Sequence, residues 1–125
     1  MEDARKLGAC VWTFPDGDLP PPGDVEPHGH ESLLLLNLGR EQARVVLTFY
    51  FTDRPPVRDV TLTVDAERVR CVRMDEPVGE QEYRVPFGQY ALRVESSVPL
   101  VCQIGRMDVR QPNLAYYTVM GFPLG

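Results

Sequence analysis

From Ala43 to Thr52 apolar and polar residues alternate. Ala43, Val45, Leu47, Phe49 and Phe51 hold the odd positions, and Arg44, Thr48 and Thr52 are among the even ones. A period of two marks a strand with one face in a core and the other in water. Val60, Leu62 and Val64 alternate with Thr61 and Thr63 in a strand over 58–65, and Tyr90, Leu92 and Val94 share a face over 89–95. Shorter strands are predicted at 8–14, 31–38, 67–74, 99–109 and 114–122. Gly, Pro and Asp punctuate them. Asp53-Arg54-Pro55-Pro56 ends the third strand, because proline has no N–H for the ladder. Residues 15–27, with Pro20-Pro21-Pro22-Gly23 inside, read as a stiff extended loop. No stretch reads as a long amphipathic helix. The pattern predicts an all-β chain: one domain over residues 1–125, an antiparallel β-sandwich of about eight short strands.

Two strands break the alternation. Leu33–Leu36 and 115–122 are apolar on both faces. One face enters the core; the other needs a second cover, or it becomes an exposed apolar patch. The expectation is a homo-oligomer. Composition agrees with a folded protein, with 43% hydrophobic residues. A net charge of -5 works against non-specific binding to nucleic acid or anionic membrane, both polyanions. DNA binding is therefore expected to be weak if present. Met1–Lys6 is highly charged with no apolar run behind it, unlike a secretory signal. No run approaches the length of a membrane span. Cys10, Cys71 and Cys102 are odd in number and widely spaced, which reads as reduced thiols in a cytoplasmic protein.

Candidate chemistry is sparse. His28 and His30 alternate on one strand face, as two metal ligands would, but no third ligand completes a set. His30 reads better as a hydrogen-bonded residue of a pocket or scaffold. Catalysis by a nucleophile needs a Ser or Cys beside a His and an orienting acid, and the chain has neither that arrangement nor a phosphate-cradling glycine loop. Glu31, Asp53, Asp75 and Asp108 stand at no spacing that recommends a catalytic pair. The reading is a non-enzymatic protein without cofactor or metal. Polar residues inside or beside apolar strands are the binding candidates, because buried polar groups need partners. They are Trp12, His30, Asn37, Arg73, Gln103 and Arg106, joined by the carboxylates Glu31, Asp75 and Asp108. Arg73 is the most telling: its strand-face neighbours Val69 and Cys71 are apolar, and Asp75 is its nearest carboxylate in sequence. Arg106, Asp108 and Arg110 alternate in sign on one face, as a salt-bridge ladder or as a pocket offering spare donors. The expected ligand is a small hydroxylated or anionic molecule such as a sugar, with Trp12 as a platform for its ring.

Read together, several segments resemble the sensory rhodopsin transducer family. Trp12-Thr13-Phe14-Pro15-Asp16-Gly17-Asp18-Leu19-Pro20 is similar to its opening pattern, and His30-Glu31 with Leu36-Asn37 to its second strand. Thr48-Phe49-Tyr50-Phe51-Thr52-Asp53-Arg54-Pro55-Pro56 resembles its hairpin, and Arg68 with Val72-Arg73 its arginine-bearing strand. Ser96-Ser97-Val98-Pro99-Leu100-Val101-Cys102-Gln103 is similar to a further segment, followed by Arg106, Asp108, Arg110 and Gln111 at the expected distance. The resemblance covers about residues 10–122. It implies a compact β-sandwich that assembles as a cytoplasmic homotetramer. It implies signal relay from a membrane photoreceptor, small-molecule binding, or an association with DNA as a transcriptional regulator. A carbohydrate-acting hydrolase is the remaining alternative. Members often carry histidine where this chain has Cys71 and serine where it has Gly29, so a site built on that histidine is not carried over.

Overall fold

The computed structural model describes residues 7–124; the charged stretch Met1–Lys6, unlike a secretory signal in sequence, lies outside the described residues. The strands are β1 (Ala9–Leu19), β2 (His30–Asn37), β3 (Ala43–Tyr50), β4 (Val57–Val64), β5 (Arg68–Arg73), β6 (Gly88–Asp108), β7 (Ala115–Met120) and β8 (Phe122–Leu124). No α-helix occurs among the described residues. Every strand pairing is antiparallel. A front sheet runs β4-β3-β6-β1-β8. A back sheet has β2 between β5 and β6, with β7 on the far side of β6.

The two sheets share β6, a strand of 21 residues. Its first half pairs with β1 and β3, and its second half with β2 and β7. The sequence predicts two strands here, 89–95 and 99–109, split at Ser96-Ser97-Val98. The backbone instead stays extended and changes partners at that point. Ser97 Oγ accepts from Arg44 N of the front sheet (2.9 Å), and Leu100 still pairs with Ala9. Polar residues and a proline mark a corner where the strand passes from one layer to the other.

A second difference is at β1. It runs through Pro15 to Leu19, where the sequence predicts a loop. The register shifts between Phe14 and Gly17, so Pro15 and Asp16 sit in a bulge, where a missing N–H is tolerated. Gly17 then lies on the Tyr90 ring, and a Cβ there would fall 2.6 Å from Tyr90 Cζ. Glycine lets the bulged strand approach that ring. The predicted strand over 114–122 divides into β7 and β8 at Gly121.

The core follows the period-two pattern. Ala43, Val45, Leu47 and Phe49 of β3, and Val60, Leu62 and Val64 of β4, are buried. They meet Leu33 and Leu35 of β2, and Leu100, Cys102 and Ile104 of β6. Phe49 packs on Tyr83 and Tyr90, with ring centroids 5.2 and 5.8 Å away. Tilted aromatic contacts at such spacing add to simple area burial. The outcome is the antiparallel sandwich that the alternation predicts.

Candidate functional site

The centre of the polar architecture is a buried ion pair. Glu31 of β2 is 0% exposed and Arg106 of β6 is 4% exposed. Glu31 shares the inward parity of Leu33 and Leu35, so the alternation places a carboxylate among leucines. Burying an isolated charge is very costly, so each charge here must be matched and hydrogen-bonded. Arg106 Nε donates to Glu31 Oε2 at 2.8 Å, and the backbone N–H of Asp18 donates to the same oxygen at 3.1 Å. The Tyr90 hydroxyl donates to Glu31 Oε1. Arg106 Nη2 donates to the Asp16 carbonyl at 2.6 Å, and Nη1 to the Tyr117 hydroxyl. The guanidinium also lies 5.1 Å from the Tyr117 ring centroid, a cation–π contact. The cluster therefore ties β1, β2, β6 and β7 together.

The electrostatics agree with that wiring. Burial disfavours a charged Arg106, yet the Glu31 carboxylate and the Tyr117 hydroxyl outweigh it, so its pKa is raised. Burial first, and then the Glu31 charge, push the Tyr90 hydroxyl well above its ordinary range. Tyr90 thus stays protonated and donates. Every polar group in the cluster has a protein partner, which makes it a structural lock.

A second, exposed chain of charge continues from it. Arg110 donates to both oxygens of Asp108 and reaches Asp18 Oδ2 at 3.0 Å. Arg110 lies beyond the end of β6, and Arg106 turns inward to Glu31, so the three residues do not share the one strand face on which the alternation places them. The Arg110 side chain, and then its backbone N–H, hold Asp108 down to a pKa of about 2. A carboxyl pKa depressed on folding stabilises the fold above its unfolded value, near 4, and that contribution is lost as pH falls toward 2. Asp108→Asn is therefore expected to lose less Tm between pH 4 and pH 2 than the parent. A pH series of thermal melts checks this, and parallel acid limbs would contradict it.

The remaining candidates separate by face. Trp12 is buried, and its Nε1 donates to the Ala9 and Leu100 carbonyls (3.0 and 2.9 Å). Asn37 is fully buried and closes the β2–β3 turn, donating to the Glu41 and Val64 carbonyls and accepting from Gly39 N. These two point inward with Glu31 and Arg106. His30, Arg73 and Gln103 point outward from the back sheet. His30 Nδ1 donates to the His28 carbonyl at 2.9 Å, and Arg73 makes a two-pronged pair with Asp75 (2.8 and 2.7 Å). Gln103 pairs in register with Leu34 and Met120. Among the described residues no three His, Cys, Asp or Glu side chains converge as a metal site.

Around those outward groups the face is mixed: Arg73, Ser32, Gly105 and Thr118 form one row, with more apolar rows on either side of it. Register places Cys71, Leu34, Gln103 and Met120 in one row across the back sheet, and Val69, Leu36 and Val101 in the next. His30, Met107 and Tyr116 form a third. Val69, Tyr116 and Met120 are 63%, 61% and 57% exposed. These rows make up the second apolar surface that the doubly apolar strands predict. The partners of Arg106 are what sequence reading misses: Tyr90, Tyr117 and the Asp16–Asp18 backbone carry no local signal of a shared contact.

Fold and site together define an all-β sandwich held by a buried ion-pair cluster, with apolar rows on an outer sheet face. The chain belongs to the Anabaena sensory rhodopsin transducer family, whose model matches residues 7–123. The crystal structure of Thermotoga maritima 1070 is similar, with 31% identity and a TM-score of 0.81, over 94% of this chain and 96% of that one. The Anabaena sensory rhodopsin transducer is 33% identical with a TM-score of 0.71, over 86% of this chain and 95% of its own. No curated protein sequence matches. Among the described residues no helix is long and apolar enough to cross a membrane.

Proposed function

We propose that this chain is a non-enzymatic signal-relay module that works as a cytoplasmic homotetramer. The observation that carries the reading is the set of apolar rows on the outer face of the back sheet. A row such as Cys71–Leu34–Gln103–Met120, open to water, is the kind of surface that a second copy covers. Its polar groups suit an interface: Arg73 is already neutralised by Asp75 and sits beside the face as a rim pair. Likeness to the Anabaena transducer supports a membrane photoreceptor as the upstream partner.

Light scattering at micromolar concentration is expected to give a multiple of the 14.1 kDa chain mass. Leu34→Glu is expected to release monomers that keep their fold. The cysteines add an independent readout. Cys10 and Cys71 are exposed in one chain, whereas burial pushes the Cys102 thiol up to about 12. Thiolate is the reactive form. In the assembly Cys10 labels readily, Cys71 labels only after Leu34→Glu, and Cys102 labels only on unfolding. A monomeric mass, with Cys71 as reactive as Cys10, would sink the proposal.

A further inference from the structure

On one side of the sandwich an edge of the back sheet, β5, runs beside an edge of the front sheet, β4. Arg68, Arg70 and Val72 alternate on one side of β5. Val72 is buried, so the two arginines stand on the inward side, at the lip between the sheets. Arg70 reaches across that lip, and its Nη1 donates to the Thr63 carbonyl of β4 at 2.6 Å. Arg68 Nη1 donates to the Glu67 carbonyl at 3.0 Å. A hollow of about 280 Å³ lies here, lined by Thr63, Val64, Asp65, Arg68, Val69 and Arg70.

Charge selects the occupant. A carbonyl holds a guanidinium in place without neutralising it, and it uses one of five N–H donors. Among the described residues Arg73, Arg106 and Arg110 have carboxylate partners, whereas Arg68 and Arg70 have carbonyls instead. Asp65 is the carboxylate of the hollow, and its Oδ1 accepts from Gln42 Nε2 at 2.8 Å. Two guanidinium charges against one carboxylate leave the hollow positive, in a chain whose net charge is -5. Two residues apart on a strand, the arginines have Cα atoms about 7 Å apart, so their long side chains can meet on one oxyanion. Forked guanidinium donors match phosphate oxygens, and forks already held by carbonyls lose less freedom on binding. The hollow is small for a ligand pocket, which favours a short body over a nucleotide.

We propose that this lip binds a small phosphate monoester with a hydroxylated body. Arg68 and Arg70 donate to the phosphate oxygens, and the Asp65 carboxylate accepts from a hydroxyl of the body. The inference is independent of the contact between copies, since it uses the side of β5 opposite to Cys71 and its row.

The test is a calorimetric titration of the full chain with glycerol 3-phosphate at constant ionic strength. Inorganic phosphate keeps the oxyanion alone, and glycerol keeps the hydroxyls alone. Glycerol 3-phosphate is expected to bind at about 1 mM, inorganic phosphate more weakly, and glycerol not measurably. Arg68→Met and Arg70→Met keep the stems and remove the donors. Each is expected to weaken glycerol 3-phosphate at least ~10-fold, the scale of one lost charge-assisted hydrogen bond. Asp65→Asn removes a like charge and is expected to tighten inorganic phosphate. Arg54→Met removes an arginine outside the hollow and is expected to leave every affinity unchanged. Both arginines of the site are exposed, so their variants are expected to keep the parent fold, and melts check this. No heat of binding in the parent would overturn the proposal, as would glycerol binding as tightly as its phosphate. Parent-like affinity in either arginine variant would also overturn it. An equal loss in Arg54→Met would do the same, because the attraction would then belong to the whole surface and not to this hollow.

Discussion

Arg106→Met is expected to cost this protein about 3–5 kcal/mol, the range for breaking a buried ion pair by removing one partner. In a domain of this length that is a fall in Tm of roughly 10–20 °C. The physical reason lies in what remains. Glu31, 0% exposed among core leucines, is left without its charged partner and loses the donor at 2.8 Å. The Asp16 carbonyl and the Tyr117 hydroxyl lose their donors together with it. The cycle that apportions the effect adds Glu31→Gln. Glutamine still accepts from the Tyr90 hydroxyl but carries no charge, so the double variant is expected to recover at least half of the loss. Melts of the four proteins at pH 7 measure it. An Arg106→Met variant within about 1 kcal/mol of the parent would show that the pair is solvated, against the burial found here. Additive single effects would show that Glu31 and Arg106 do not act as a unit.

How much of this was legible in the sequence follows from the range of each interaction. The inward sets of β3 and β4 are local, because alternation within eight residues fixes which side chains meet the core. The second apolar face of β2 was legible for the same reason: Leu33 and Leu34 cannot point the same way. The continuity of β6 was not legible, because Ser96 and Ser97 read as a break when only neighbours are considered. Their role depends on β1 and β3 remaining paired up to Leu100 and Ser96. The Glu31–Arg106 pair was beyond reach in a stronger sense. Both residues were candidates singled out from the sequence, but 75 positions separate them, and Arg106 had a nearer carboxylate in Asp108. The register of β2 against β6, which sets Glu31 opposite Arg106, decides between those partners. Bulging of β1 at Pro15 matters equally, since it delivers the Asp16 carbonyl and the Asp18 N–H to the pair.

Leu33→Ala and Leu34→Ala, one residue apart, are expected to fail in different ways. Leu33 is 0% exposed within the sandwich and pairs across to Val72 and Ile104, both also buried. Truncating it leaves a cavity that rigid neighbouring strands only partly fill, at about 2–5 kcal/mol. The loss should appear at every protein concentration, because the cavity forms within one chain. Leu34 points to the other side, in the row of Cys71, Gln103 and Met120. Its truncation removes little from the fold of one chain but takes apolar area from the proposed contact between copies. Tm of Leu34→Ala is therefore expected to match the parent when both are dilute and dissociated. It should fall below the parent as concentration rises, because assembly stabilises the parent by mass action and the variant less so. Melts over a hundredfold concentration range separate the two behaviours. If Leu34→Ala is destabilised by the same amount at every concentration, the outward face is packed within the chain. The interface would then have to lie on the front sheet or on the exposed β7–β8 segment.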